Sequence, residues 1–158
     1  MKYIMNLPKK IALGVAVTFL TNFAFAQTLQ DGINSIDSHK YAKAKKNFED
    51  MLAKSPSAEN YFYLGNTYLS QSEPNFAKAQ EYFNKGLAAD SKSYLNKIGL
   101  ATVKLGKGDK SGISEIQNIV KDSREKDDEV LFRAAEALTM YENTNAPDLA
   151  ISFLNKAV

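Results

Sequence analysis

The chain has 158 residues, enough for one domain, and 44% of them are apolar, the level of an ordinary soluble globular sequence. Basic residues number 20 against 18 acidic ones, but Lys2, Lys9 and Lys10 stand in the first 26 residues, which hold no acid. The rest is therefore nearly neutral, and without a concentrated basic surface nucleic acid is not an expected partner. There is no Cys, which excludes disulfides and a lipid-modified cysteine and leaves core packing to hold the fold.

The N-terminus has the order of an export signal. Lys9 and Lys10 form a positive flank, an apolar run from Ile11 to Phe25 follows, and Ala24-Phe25-Ala26 ends it with the small-x-small pattern of a cleavage site. The run is shorter than the roughly 20 residues of a spanning helix, and Asn22 interrupts it. Residues 1–26 are thus expected to be a signal peptide cut after Ala26. The mature chain would begin at Gln27 with no stable membrane insertion. The signal and the Lys/Asn/Tyr-rich composition point to the bacterial cell envelope, most naturally a periplasm.

Residues 27–57 predict two helices. Leu29, Ile33 and Ile36 recur one turn apart with Gly32 at a small position, and Asp37-Ser38-His39-Lys40 supplies a turn. Tyr41, Ala44, Phe48, Met51 and Leu52 mark the second helix, which ends at Ser55-Pro56 because proline drives the preceding residue out of the helical region. His39 is the only histidine. In a turn, with no second histidine or cysteine to share a metal, it reads as a surface residue.

The stretch from Asn60 to Leu87 is the most regular. It runs Tyr61-x-x-Leu64-Gly65-x-x-Tyr68, a break at Pro74-Asn75, then Phe76-x-x-Ala79-x-x-x-Phe83-x-x-Gly86-Leu87. The spacing of three and four puts these residues on one face of each of two helices. Gly65 and Ala79 should mark where the helices approach closely, with Tyr68, Phe76 and Phe83 filling the space around them. This pattern resembles the tetratricopeptide repeat, a helical hairpin of about 34 residues; Gly86 departs from the family's final Ala but keeps the position small. In the same register Pro56 stands where family members carry a helix-ending proline.

Residues 92–123 repeat the unit: Tyr94, Leu95, Ile98, Gly99, Thr102, Val103 and Leu105, a turn at Gly106-Lys107-Gly108-Asp109, then Gly112, Ile116, Ile119 and Val120. Ile98-Gly99 occupies the place of Leu64-Gly65. The Gly-x-Gly-Asp turn follows a helix and lacks Lys-Ser/Thr, so it is not a phosphate loop. The charged run Lys121–Glu129 ends in acids placed to favour the positive N-terminus of a following helix. It lacks the Gly and ligand spacing of an acidic metal loop. A fourth unit then reads Leu131, Ala134, Ala135, Leu138, Tyr141, a turn at Asn143–Pro147, and Leu149, Ala150, Phe153, Leu154, Ala157 and Val158. Val158 falls within this unit's second helix, so the end carries no polar cap. A longer repeat array, or burial of the terminus by a partner, would each account for that.

The resemblance implies an all-α, right-handed α-solenoid of antiparallel helix pairs. About four tetratricopeptide-like units would fill the mature chain (27–57, 58–91, 92–126 and 127–158). It also implies a groove lined by the first helix of each unit. In the family register the inward positions are Phe62, Asn66 and Leu69; Asn96, Lys97, Leu100 and Lys104; and Phe132, Arg133, Glu136 and Met140. Their aromatic, amide and basic groups suit a peptide with some acidic character. The family's carboxylate clamp is not matched: Asn66 and Arg133 fit it, but Phe62 and Glu129 stand where it needs lysines. The expected function is a non-catalytic scaffold that binds another protein or peptide in the cell envelope, without cofactor or metal. Two alternatives stand beside it, self-assembly through the uncapped end and an accessory repeat region of a longer envelope enzyme. Against catalysis within this chain stand the absent Cys, the lone His and the lack of facing carboxylates.

Overall fold

The computed structural model describes residues 28–124 and 127–157, and every regular element among them is helical. The expected signal segment, residues 1–26, lies outside the described residues, as do Gln27, Glu125, Lys126 and Val158. Helix α1 covers residues 28–37. It is followed by α2 (Tyr41–Lys54), α3 (Ala58–Leu69), α4 (Phe76–Ala89), α5 (Tyr94–Gly106), α6 (Ser111–Asp122), α7 (Asp128–Thr139) and α8 (Pro147–Leu154). Consecutive helices pack against one another, and α5 also packs on α3 and α7. The result is an all-α solenoid of helical hairpins.

Local chemistry sets the helix starts. The first helices α3, α5 and α7 are each capped by a side chain that accepts from the backbone N–H three residues on: Ser57 from Asn60 (3.1 Å), Ser93 from Asn96 (3.4 Å) and Asp127 from Val130 (3.1 Å). Asn75 does the same for α4 with Lys78. The turn after α5 closes through Gly108 at φ 86°, and the turn after α1 through His39 at φ 56°. His39 is exposed, and its Nδ1 lies 2.7 Å from Tyr41 Oη.

The contacts that hold the hairpins together pair a small residue with a ring. Phe83 of α4 is fully buried, and a Cβ placed on either Gly65 of α3 or Gly99 of α5 would stand 2.5 Å from its Cε1. One ring thus wedges between two first helices because both lack side chains there. Gly32 makes the same allowance for Phe48 at the α1–α2 contact. Gly86 clears the Asn96 side-chain amide, and Gly112 approaches the Ala101 carbonyl too closely for a Cβ, at 2.7 Å. The latter explains a glycine where the repeat pattern wanted alanine.

The last hairpin departs from expectation. Between α7 and α8, where a turn at Asn143–Pro147 was expected, the chain forms a 3-10 turn at Glu142–Thr144 and Pro147 already opens α8. Thr144 is buried there and its hydroxyl donates to the Leu105 carbonyl (3.1 Å), tying the turn to the end of α5. Helix α8 also ends earlier than the apolar pattern implied, at Leu154. Asn155 N donates back to the Ile151 carbonyl and Ala157 N to the Phe153 carbonyl.

Candidate functional site

The eleven residues expected to line one groove fall into four places. Five of them, Phe62, Asn66, Arg133, Glu136 and Met140, meet at a narrow crevice between α3, α5 and α7. Arg133 lies across it. Its Nε donates to Glu129 (2.8 Å), its Nη1 to Glu136 (2.9 Å) and its Nη2 to the Tyr63 hydroxyl (3.3 Å). Tyr63 in turn donates to Glu129 at 2.7 Å. The guanidinium sits between two rings, 5.2 Å from the Tyr63 centroid and 5.1 Å from that of Phe132. The space left is about 10 Å³, room for one water.

This network shifts its own members. Burial, helped by the Glu129 carboxylate, pushes the Tyr63 phenol well above its usual range. Burial opposes the charge on Arg133, but Glu136, Tyr63 and Glu129 outweigh it and hold the guanidinium more firmly protonated. Burial also raises Glu59, with the neighbouring Glu129 charge adding to the effect. The inner face is thus crossed by a side-chain bridge from α7 to α3.

Three expected groove residues are enclosed and present no binding surface. Leu69 is 2% exposed and belongs to the core around Phe48 and Phe83. Asn96 is fully buried, donating to the Ala58 carbonyl (2.8 Å) and the Ser93 hydroxyl (2.9 Å). Phe62 is 2% exposed and packs edge-on against Tyr63. The groove expectation assumed first helices held apart at their inner faces. Here α3 and α7 come close enough for Tyr63 and Arg133 to touch, so side chains that would line a cleft fill it.

Lys97, Leu100 and Lys104 emerge on another side of α5, in a trough flanked by the second helices α4 and α6. Toward α6 it forms a concavity of about 370 Å³ with Glu115, Asn118, Ile119 and Asp122. Toward α4 an adjoining concavity of about 340 Å³ is lined by Gln80, Asn84, Val103 and Lys107. Leu100 and Lys104 belong to both, so the two form one surface. Its floor is apolar. On its rim Lys104 pairs with Glu115, Lys107 donates to Gln80 (3.2 Å), and the Lys97 ammonium lies 5.3 Å from the Tyr94 ring centroid. The α4 and α6 contributors were missed because the repeat register drew attention to first helices alone. The signal was there: Glu115, Asn118, Ile119 and Asp122 share one stripe of α6 at spacings of three and four.

Phe132 lies apart from both, 49% exposed, on a concavity of about 310 Å³ between α7 and α8 that it shares with Ile151 and Leu154. Among the described residues no three His, Asp or Glu side chains are grouped to hold a metal ion, and no helix is long and apolar enough to cross a membrane.

Stacked hairpins with this small-to-ring packing define a tetratricopeptide-like helical solenoid. Two crystal structures of MamA are similar to it, both 18% identical in sequence over 84% of this chain. They superpose with TM-scores of 0.51 and 0.50, the match covering 75% and 70% of their own chains. At that identity the likeness shows the fold. No family model matches the sequence, and no curated protein does.

Proposed function

We propose that the protein is a non-catalytic scaffold of the bacterial cell envelope, and that it binds a peptide segment of another exported protein in the trough over α5. The observation that carries this reading is the trough itself. It is an open apolar floor of Leu100, Val103 and Ile119 with polar side chains along both rims, on a helix held rigidly between α4 and α6. Recognition would place an apolar side chain of the peptide on Leu100 and Ile119. The amides of Gln80, Asn84 and Asn118 are positioned along the rims to satisfy its backbone. Lys97 and Lys107 favour a peptide with acidic residues near that anchor, since neither is held by a carboxylate in the way Lys104 is held by Glu115. The inner crevice is excluded as the site by its size. Export to the envelope is supported by the Lys9-Lys10, apolar run and Ala24-Phe25-Ala26 sequence.

The test is selection of peptides from a displayed random library on residues 27–158, followed by affinity measurement against Leu100→Glu and Lys97→Glu. Selected peptides should carry an aliphatic or aromatic residue beside an acid, lose at least about tenfold in affinity against Leu100→Glu, and bind less tightly as salt rises. Peptides that bind wild type and Leu100→Glu equally would remove the trough as the site.

A further inference from the structure

The two halves of the trough over α5 differ in charge. In the α6-side hollow Lys97 and Lys104 are balanced by Glu115 and Asp122, around Leu100 and Ile119. The α4-side hollow is lined by Lys104, Lys107, Gln80, Asn84, Leu100 and Val103, and none of these side chains is acidic. One hollow is therefore neutral over an apolar floor, and the other gathers ammonium and amide groups without a carboxylate of its own. Given the trough as the binding site, we infer that the α4-side hollow takes an aspartate or glutamate side chain of the bound peptide, while the α6-side hollow takes its apolar anchor.

The donors are placed for that acceptor. Lys104 is held by Glu115 of α6, which leaves Lys107 as the cation of the hollow. Lys107 donates to Gln80 Oε1 at 3.2 Å, a neutral partner that an incoming carboxylate can replace, because the charge-assisted bond is the stronger one. The same contact turns Gln80 Oε1 to the ammonium and leaves the amide NH2 to donate to the ligand, and Asn84 presents a second amide one turn along α4. Asp109, the acid of the adjoining turn, is engaged elsewhere, accepting the Ser111 backbone N–H at 2.9 Å. At the other end of the trough Asp122 stands on the facing wall and offsets Lys97, whose ammonium lies against the Tyr94 ring. An acid placed there meets repulsion along with attraction. Spacing follows from the helix. Leu100 and Lys107 lie about 10 Å apart along α5, a distance an extended chain covers in about three residues. Allowing for the reach of a lysine side chain, the acid stands about two to four positions from the apolar anchor, in one fixed direction along the peptide.

The experiment takes peptides selected on residues 27–158, makes each with its acid replaced by the matching amide, and measures both forms by calorimetry. The proteins are wild type, Lys107→Gln and Lys110→Gln; both lysines are exposed, and circular dichroism checks that the helices are kept. Wild type should bind the acid form at least about fivefold more tightly than the amide form. Lys107→Gln should erase that preference and keep the affinity for the amide form, while Lys110→Gln, one charge removed outside the hollow, should retain it. Selection repeated on Lys107→Glu should return Lys or Arg at the position of the acid beside an unchanged apolar anchor. An acid preference that survives Lys107→Gln, or that Lys97→Gln abolishes in its place, would overturn the inference, and so would selected peptides with no acid at that spacing. With Leu100→Glu still weakening binding, those results leave the trough standing as the site. Peptides indifferent to Leu100→Glu would remove the trough itself, and this inference with it. Loss of affinity on amidating the peptide C-terminus would give the hollow to a terminal carboxylate and overturn the side-chain assignment.

Discussion

Replacing Arg133 with methionine tests whether the inner face is held shut by the α7-to-α3 bridge. Methionine keeps most of the aliphatic volume and removes the guanidinium, so the loss reports the polar contacts. Wild-type Arg133 is 8% exposed and makes three hydrogen bonds, two to carboxylates and one to the Tyr63 hydroxyl. Breaking a buried ion pair typically costs about 3–5 kcal/mol because a charge is left behind unpaired. Here the abandoned carboxylates are not fully buried: the Glu129 and Glu136 side chains are 44% and 35% exposed and can rehydrate. Screening at that exposure brings each ion pair down toward about 1 kcal/mol. Adding the Tyr63 hydrogen bond and the lost stacking on two rings gives an expected loss of about 2–3 kcal/mol. Urea unfolding followed by circular dichroism measures it, with Tyr63→Phe and the double variant completing a cycle. The coupling between the two positions should be about 0.5–1.5 kcal/mol, since Tyr63 and Arg133 share Glu129 as well as touching directly. Arg133→Met within about 0.5 kcal/mol of wild type, or a coupling near zero, would mean that the bridge does not hold the face closed.

Other predictions probe separate links. Gly99→Ala should destabilise by about 1–3 kcal/mol, because the added methyl meets the Phe83 ring at 2.5 Å and that ring has Gly65 on its other side; an unchanged thermal melt would contradict the wedge. Ala79→Leu, at a fully buried position of α4, should cost a similar amount by overpacking. Tyr141→Phe should leave stability at neutral pH unchanged or raise it by up to about 1 kcal/mol, because the Tyr141 hydroxyl is buried with no hydrogen-bond partner. The same residue predicts an alkaline effect. Burial pushes the Tyr141 phenol from 10.0 to about 12, so its contribution is complete below the unfolded-state value and is lost as pH rises between them. Wild type should therefore lose more stability than Tyr141→Phe between about pH 9 and pH 11.5, and parallel losses would refute it. Intact-mass measurement of protein recovered from the envelope of an expressing bacterium should give a chain starting at Gln27; uncleaved protein would refute the export signal.

The hairpins were legible because two physical signals coincided. Apolar residues at three and four apart defined the helix faces, and glycines such as Gly65 and Gly99 marked where a ring would enter, as Phe83 does. The proline and Asn-rich breaks at Ser55-Pro56 and Pro74-Asn75 fell at observed helix boundaries. The binding surface was less legible for a geometric reason. Repeat register fixes which side of a helix faces inward, but it does not fix how far apart successive inner faces stand. Tyr63 and Arg133 are 70 positions apart, and nothing local in either stretch announces that the two will touch. Once they do, Phe62 and Asn66 become crevice walls and Asn96 a structural hydrogen-bond donor.

That closure has a consequence for where a partner can bind. A solenoid whose first helices stay apart offers ligands its inner face and keeps its second helices as outer support. Where Arg133 reaches from α7 to Tyr63 of α3, the inner side chains bond to one another and narrow the cleft between these helices. Rigidity is then passed outward: α5 is packed by α3 and α7 on one side and by α4 and α6 on the others, leaving a single stripe through Lys97, Leu100 and Lys104 uncovered. A stripe so held needs little ordering on binding, which favours affinity from a small contact area. The Arg133→Met variant therefore carries a second expectation. If the bridge pre-orders the trough, peptide affinity at Leu100 should fall severalfold in that variant, although Arg133 touches no part of the trough. Unchanged affinity alongside the expected loss of stability would show that α4 and α6 alone hold α5 in place.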